Sequence, residues 1–462
     1  MTATAQPQPS GFLARRFRLG DRGTTARTEA LGGVATFLTM CYILFVNPAI
    51  LSAAGVPFDA VAVCTALAAA VTTLAMGLAT NLPFALAPGL GINAVVAFDI
   101  ILGRGLPWQV GMAVVVIEGL VAVILVLAGL RTAIMNAVPM TLKLSIGVGI
   151  GLFITLVGLR EGGVVVNNPA TGIGLGELTS GPALISLAGV LVAAVMVARG
   201  VRGAVIIGVA AATVLGLIFG VLDTPDKVVD APNSDDFSII GDSLGSLGDA
   251  LTVSLIPVIF ALFMTDFFDT VGTAVAVGRG GGLLDDRGQL PNADRLLLVD
   301  SGAAAVGGAM GVSSVTTYVE SGAGVAEGAR TGLASVVTAG LFVLAIFFVP
   351  IIALVGQGVA VGEDTVIHPA VAPALVMVGY LMMRIVADID WTVPESSIPA
   401  FLIIAGIPLT FSIAAGIGLG VIGYVVVMAA TGRARDVHAL MWVITPFFVA
   451  FFAADWLEAN VF

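Results

Sequence analysis

Charge is scarce in this chain. Of 462 residues, 11% are Asp, Glu, Lys or Arg, where a soluble domain carries about 25%. With 58% hydrophobic residues and a mean hydropathy of +1.09, that shortage excludes a soluble globular protein and points to a lipid bilayer as the surroundings. A net charge of −11 leaves no basic face for nucleic acid, so none is expected as a partner. Cysteine and histidine are nearly absent. Cys41 and Cys64 fall in apolar runs, where small buried thiols are ordinary, and they form neither a disulfide framework nor a metal spacing. His368 and His438 are far apart at the edges of apolar runs, so no metal centre and no cofactor are expected. An intramembrane enzyme would lack its nucleophile–base set. Glycine, by contrast, is abundant at 58 residues, as suits helices that approach closely or break within a bilayer.

The first 27 residues are polar and end in Arg15, Arg16, Arg18, Arg22 and Arg27. No cleavable signal is evident, and a basic flank predicts a cytoplasmic N-terminus. Apolar windows follow near 31–53, 58–80, 108–130, 135–159, 182–198 and 203–222. A second set lies near 249–279, 293–311, 331–357, 369–387, 396–430 and 438–457. The 396–430 run is long enough for Pro408 to divide it. Arg131, Lys143, Arg199, Arg202, Arg279, Arg287 and Arg295 fall on predicted inner sides. The Asp-rich stretch 223–248 reads as a solvated external linker.

One window carries a contradiction. Asp266 and Asp269 stand three residues apart in the apolar run 249–279, hence on one helical face. A carboxylate at membrane depth costs about 3 kcal/mol on insertion scales, so a functional site there is the first reading. Glu118 and Asp300 also interrupt apolar windows and are expected as partners in a polar network.

Two stretches are too polar and too broken for ordinary spans. The first runs from Asn81-Leu82-Pro83-Phe84 to Pro88-Gly89-Leu90-Gly91-Ile92-Asn93. The second runs from Gly311-Val312-Ser313-Ser314 to Tyr318-Val319-Glu320-Ser321-Gly322. Each has a few extended-type residues, then a small-residue helix start, with one strong polar group at the junction. Asn93 and Glu320 lie about half the chain apart. A broken polar element recurring in both halves points to the site of an inverted-repeat transporter. Its unpaired backbone is tolerated only inside protein or beside a wet cavity, and strands from the two halves are expected to pair with each other.

The residues also resemble a known family. Thr28-Glu29-Ala30-Leu31-Gly32-Gly33, Tyr42-Ile43-Leu44-Phe45-Val46-Asn47-Pro48 and Ala87-Pro88-Gly89-Leu90-Gly91-Ile92-Asn93-Ala94 are similar to motifs of the AzgA-like purine permeases. So are Phe268-Asp269-Thr270-Val271-Gly272-Thr273, Glu320-Ser321, Arg330-Thr331-Gly332-Leu333 and Ile398-Pro399-Ala400-Phe401. These permeases are a branch of the nucleobase–cation symporter superfamily, also called the nucleobase–ascorbate transporters. The chain departs from the usual pattern at Leu90, Val95-Val96, Val312 and Ala329, which bears on the choice among purines.

The resemblance implies an all-α integral membrane fold of 14 segments in two inverted repeats of seven, with short antiparallel strands in segments 3 and 10. It divides the chain into a cytoplasmic tail (1–27), core parts at 28–134 and 249–358, gate parts at 135–222 and 359–462, and the external acidic loop at 223–248. It implies proton symport of hypoxanthine, guanine or adenine across the plasma membrane, with the proton as coupling ion and a homodimer as the common assembly. Carried onto this chain, Asn93, Asp266, Asp269 and Glu320 contact the purine. Ser321 and Thr317 beside Glu320, and Phe84 as a ring-stacking aromatic, complete the expected binding set, with Phe267, Phe268 and Tyr318 as further stacking candidates. Carboxylates accept from ring N–H and exocyclic amine, while an Asn amide both donates and accepts. Asp269 or Glu320 is expected to carry the coupling proton. Uracil, xanthine or an anion on the same fold is the alternative cargo, and an ion channel the alternative class.

Overall fold

The computed structural model describes residues 11–129, 138–252, 255–284, 290–361 and 365–460, with the backbone alone at 268 and 454–460. Arg131 and Arg287 lie outside the described residues.

Eight helical stretches among them are long and apolar enough to cross a membrane. In chain order the main elements begin with α1 (Phe12–Phe17), α2 (Ala26–Met40), α3 (Ile43–Ala53) and α4 (Phe58–Thr80). Then come β1 (Leu86–Pro88), α5 (Leu90–Ala94, continued by a wider π turn to Gly103), α6 (Trp108–Leu127), α7 (Met140–Glu161), the hairpin β2–β3 (Val165–Asn168, Gly172–Leu175), α8 (Gly181–Ala198) and α9 (Ala204–Ile218). The second half has α10 (Ile256–Gly280), α11 (Ala293–Ala309), β4 (Val315–Thr317), α12 (Ser321–Ala326), α13 (Gly332–Ala345) and α14 (Val349–Val355). It ends with the hairpin β5–β6 (Val359–Val361, Thr365–Ile367), α15 (Ala372–Met383), α16 (Pro394–Thr410), α17 (Ile413–Ala430) and α18 (Ala439–Asn460).

The helices pack as two groups. α2–α6 interleave with α10–α14, and α7–α9 interleave with α15–α18. Small residues set the spacing in the first group. A Cβ on Gly332 would stand 2.0 Å from the carbonyl oxygen of Gly77, so α4 and α13 approach until backbone meets backbone. In the second group, both the backbone N–H and Nδ1 of His368 contact Glu161 Oε2, at 3.0 and 2.8 Å, tying the end of α7 to the segment before α15.

Two expectations are corrected. The 396–430 run divides at Phe411 and Ser412, where Phe411 has φ +53°, while Pro408 stays inside α16. The acidic stretch is not a free linker: Gly241 N–H donates to Ala309 O at 2.8 Å, Ser243 Oγ donates to Gly308 O at 2.9 Å, and Ile239 is buried. Asp223, Asp226, Asp230, Asp235 and Asp242 are exposed, while Ile239, Gly241 and Ser243 seat on the end of α11.

Candidate functional site

The site forms where the two broken segments cross. β1 and β4 pair antiparallel, with Leu86 opposite Thr317, Ala87 opposite Thr316 and Pro88 opposite Val315. Pro83, Pro88 and Gly89 interrupt helix on one side, as Gly311 and the Ser-Ser pair do on the other. Two short strands leave many backbone groups open, and side chains close them. Thr73 Oγ1 donates to Leu86 O at 3.0 Å and accepts from Leu86 N–H at 2.8 Å. Ser321 Oγ accepts from Ala85 N–H at 3.0 Å, and Ser335 Oγ donates to Leu82 O and Phe84 O. This lets irregular backbone persist at membrane depth.

Asp300 is the buried anchor of β4. Its Oδ1 accepts from the backbone N–H and the hydroxyl of Thr317, at 2.8 and 2.6 Å, while its Oδ2 accepts from Thr270 Oγ1 at 2.6 Å. The Thr270 and Thr316 hydroxyls are 2.8 Å apart. Thr317 therefore turns to Asp300, and Ser321 to the strand backbone; both expected binding residues hold the scaffold.

Asp269, on α10, and Glu320, at the head of α12, lie within electrostatic reach of each other, and Asp300 also acts on Asp269. Asp269 lies deep among protein atoms, yet its side chain is exposed, as are Gly272 and Ala276 farther along α10. At spacings of three and four residues these positions share one exposed face of α10, and Asp269 opens on a hollow there. Glu320 sits at the start of α12 and accepts a hydrogen bond from the Tyr42 hydroxyl. The Tyr318 hydroxyl donates to Pro88 O at 2.5 Å, bridging the two segments.

Asn93 and Asp266 are deeper. Asn93 Nδ2 donates to Asn47 Oδ1 at 2.6 Å, and Asn47 in turn donates to Thr65 Oγ1 and Val312 O. Asn93 Oδ1 and Asp266 Oδ1 are buried without a partner among the described residues. Phe84 is fully buried and presents no face to the hollow. Phe267 is buried with its ring 5.7 Å from that of Phe263, and nothing is described of the Phe268 side chain.

Sequence reasoning did not place Tyr42 or Asn47 at the site, although both stand in a quoted motif. Each is a polar group inside an apolar run, a signal of the same kind as Asp266. Toward its N-terminus α10 is shut: Phe260 and Met264 border an apolar gap of about 10 Å³ with Ile403, Met441 and Phe448. α10 is thus sealed against the second helix group at one end and open from Asp269 onward.

The arrangement has relatives. A family model described as "Permease family" matches residues 27–419. The chain is 41% identical over 445 residues to the guanine/hypoxanthine permease PbuG of Bacillus subtilis, covering 94% of this chain and 98% of that one. It is 39% identical over 446 residues to the adenine permease AdeP of Escherichia coli, covering 96% and 97%. Among solved structures, the transmembrane domain of the cyanobacterial bicarbonate transporter BicA matches with a TM-score of 0.58 at 17% identity, over 84% of this chain and 97% of that one. The murine Slc26a9 anion transporter in its inward-facing state matches with a TM-score of 0.60 at 10% identity, over 93% and 74%. At these identities the likeness is one of fold.

Proposed function

The chain belongs to the permease family, a multi-pass membrane transporter rather than an enzyme, and from that premise we propose that it imports purine nucleobases with protons by alternating access. The carrying observation is that Asp269, on α10, and Glu320, at the junction of β4 and α12, lie within electrostatic reach of each other beside the hollow. The names of the relatives support guanine, hypoxanthine and adenine as cargo.

In this reading Asp269 and Glu320 accept from N–H groups on the purine edge, and the deeper Asn93 and Asp266 face the opposite edge. Thr317, Ser321 and Asp300 position them by fixing β4. A proton taken up on Asp269 or Glu320 with the substrate neutralises the site, which lets the loaded half slide past its partner. We assign 28–134 and 249–358 as the moving core and 135–222 and 359–462 as the gate, in two inverted repeats of seven segments. The interleaving of helices from both halves within each group supports this division. The closed end of α10 beside Phe448 and its open stretch from Asp269 onward support a state accessible from one side. The protein is assigned to the plasma membrane, with its arginine-rich N-terminus in the cytoplasm and a homodimer as its assembly.

An anion cargo is disfavoured because the described ionisable groups at the crossing are acids, with no Lys, Arg or His among them. Counterflow of labelled hypoxanthine, guanine and adenine in proteoliposomes, with and without a pH gradient, tests the proposal. Exchange of at least one purine, driven uphill by an inward proton gradient, is expected. Exchange of uracil or bicarbonate alone overturns it.

A further inference from the structure

Glu118 sits buried within α6, the helix that packs against α10 and α11. It is 1% exposed, and both its carboxyl oxygens lack a hydrogen-bond partner among the described residues. The other acids nearby differ. Asp300 spends its oxygens on Thr270 and Thr317, with the Thr316 hydroxyl at 3.5 Å. Asp266 is 2% exposed with Oδ1 unpartnered, and the charge of Glu118 acts on it. The Asp266 carboxyl has the Thr316 hydroxyl as one partner and Glu118 has none among the described residues, and the two carboxyl groups lie in each other's fields in a buried interior.

An ionised carboxylate in such a place needs donors or a cation. Among the described residues Glu118 and Asp266 make no ion pair, and no group of three His, Cys, Asp or Glu side chains can hold a metal ion. The elements packed on α6 bring acids rather than a counter-charge. α11 brings Asp300, and α10 brings Asp266. The turn after α5 brings Asp99, held by Arg104 at 3.5 Å and by the Ser412 hydroxyl. The segment before α10 brings Asp242 and Asp249, which are exposed. None of these supplies a positive charge to Glu118.

From this geometry we propose that Glu118 and Asp266 form a buried proton-holding site beneath Asp269 and Glu320, with Asp266 belonging both to this site and to the purine edge. The pair keeps at least one proton while its surroundings stay closed. Asp266 stands one turn from Asp269 on the same face of α10, so a proton passes between the hollow and the pair along that face. Releasing it leaves a carboxylate and one free proton, with no other reactant. Because α6 and α11 touch backbone to backbone, with a Cβ on Gly119 landing 2.4 Å from Ala305 N, an added charge at Glu118 strains a seam with no slack. Protonation of the pair is thereby linked to the position of β4, which α11 holds through Asp300.

This inference rests on the transport reading, and the experiment separates the two. Wild type and Glu118→Gln are reconstituted in proteoliposomes, with labelled purine uptake measured across external pH and proton entry followed by a trapped pH dye. Wild-type uptake is expected to change several-fold across the range, and the variant's acid-to-alkaline ratio is expected to collapse to about unity, with purine-linked proton entry lost. A variant with the wild-type pH profile and proton entry overturns the inference. Failure of wild type to exchange any purine overturns the transport reading instead. Should the variant not fold, infrared difference spectra of wild type with isotope-labelled glutamate decide: a protonated carboxyl band at neutral pH supports the site, and its absence overturns it.

Discussion

Thr317 gives both its backbone N–H and its hydroxyl to one oxygen of Asp300, at 2.8 and 2.6 Å. A strand of three residues in a membrane protein has little else to hold it, and this double donation fixes β4 so that Glu320 emerges at the start of α12. Replacing Asp300 with Asn swaps one acceptor oxygen for a donor amide and sets it against Thr270 or Thr317. The expected cost is about 1.5–3 kcal/mol, typical of a lost hydrogen bond to a charged group. Thermal unfolding in detergent should show Asp300→Asn well below wild type, with purine binding impaired in whatever protein remains folded.

Asp269 carries no such structural burden, since its side chain borders the hollow. Asp269→Asn should therefore fold with wild-type stability and lose proton-driven accumulation of purine. Uptake against a concentration gradient, with and without an imposed pH difference, checks this. Full pH-driven accumulation in the variant removes Asp269 from the coupling mechanism.

The Tyr42 hydroxyl donates to Glu320 and holds the carboxylate at the head of α12. Tyr42→Phe keeps the ring and deletes that donor, so Glu320 loses its orientation. Purine affinity is expected to fall about tenfold, as loss of roughly 1.4 kcal/mol requires, with little change in melting temperature. Equilibrium binding of labelled hypoxanthine or adenine to the purified variant measures it; unchanged affinity shows that Glu320 is held by other contacts.

The close approach of α4 and α13 makes a separate forecast about stability. Gly332→Ala places a methyl group 2.0 Å from the Gly77 carbonyl oxygen, a contact that only backbone movement relieves. Overpacking of this kind costs about 1–3 kcal/mol. A lowered melting temperature and poor yield are expected for Gly332→Ala, while alanine at Gly272, which has nothing within 4 Å of the added carbon, should leave melting unchanged.

Much of this was legible in the residues one by one. Long apolar runs can only be buried or set in lipid, so composition determined that the chain is a membrane protein and where most of its helices begin and end. Pro83 and Pro88 lack a backbone donor and Gly89 costs a helix conformational entropy, so together they disfavour helix across that stretch, and Asp266 and Asp269 are anomalous at any membrane depth. What composition could not supply was pairing. That Thr317 meets Asp300, that Tyr42 caps Glu320, that Asn93 turns inward to Asn47 and that Glu118 is left without a partner are consequences of which helices lie side by side. A hydrogen bond between residues on different elements has no signature in either residue alone, because each satisfies its polar atoms with whatever the folded chain brings within about 3 Å. The same reason explains the acidic stretch 223–248: its charge was plain in sequence, and its seat on the end of α11 was decided only by the tertiary structure.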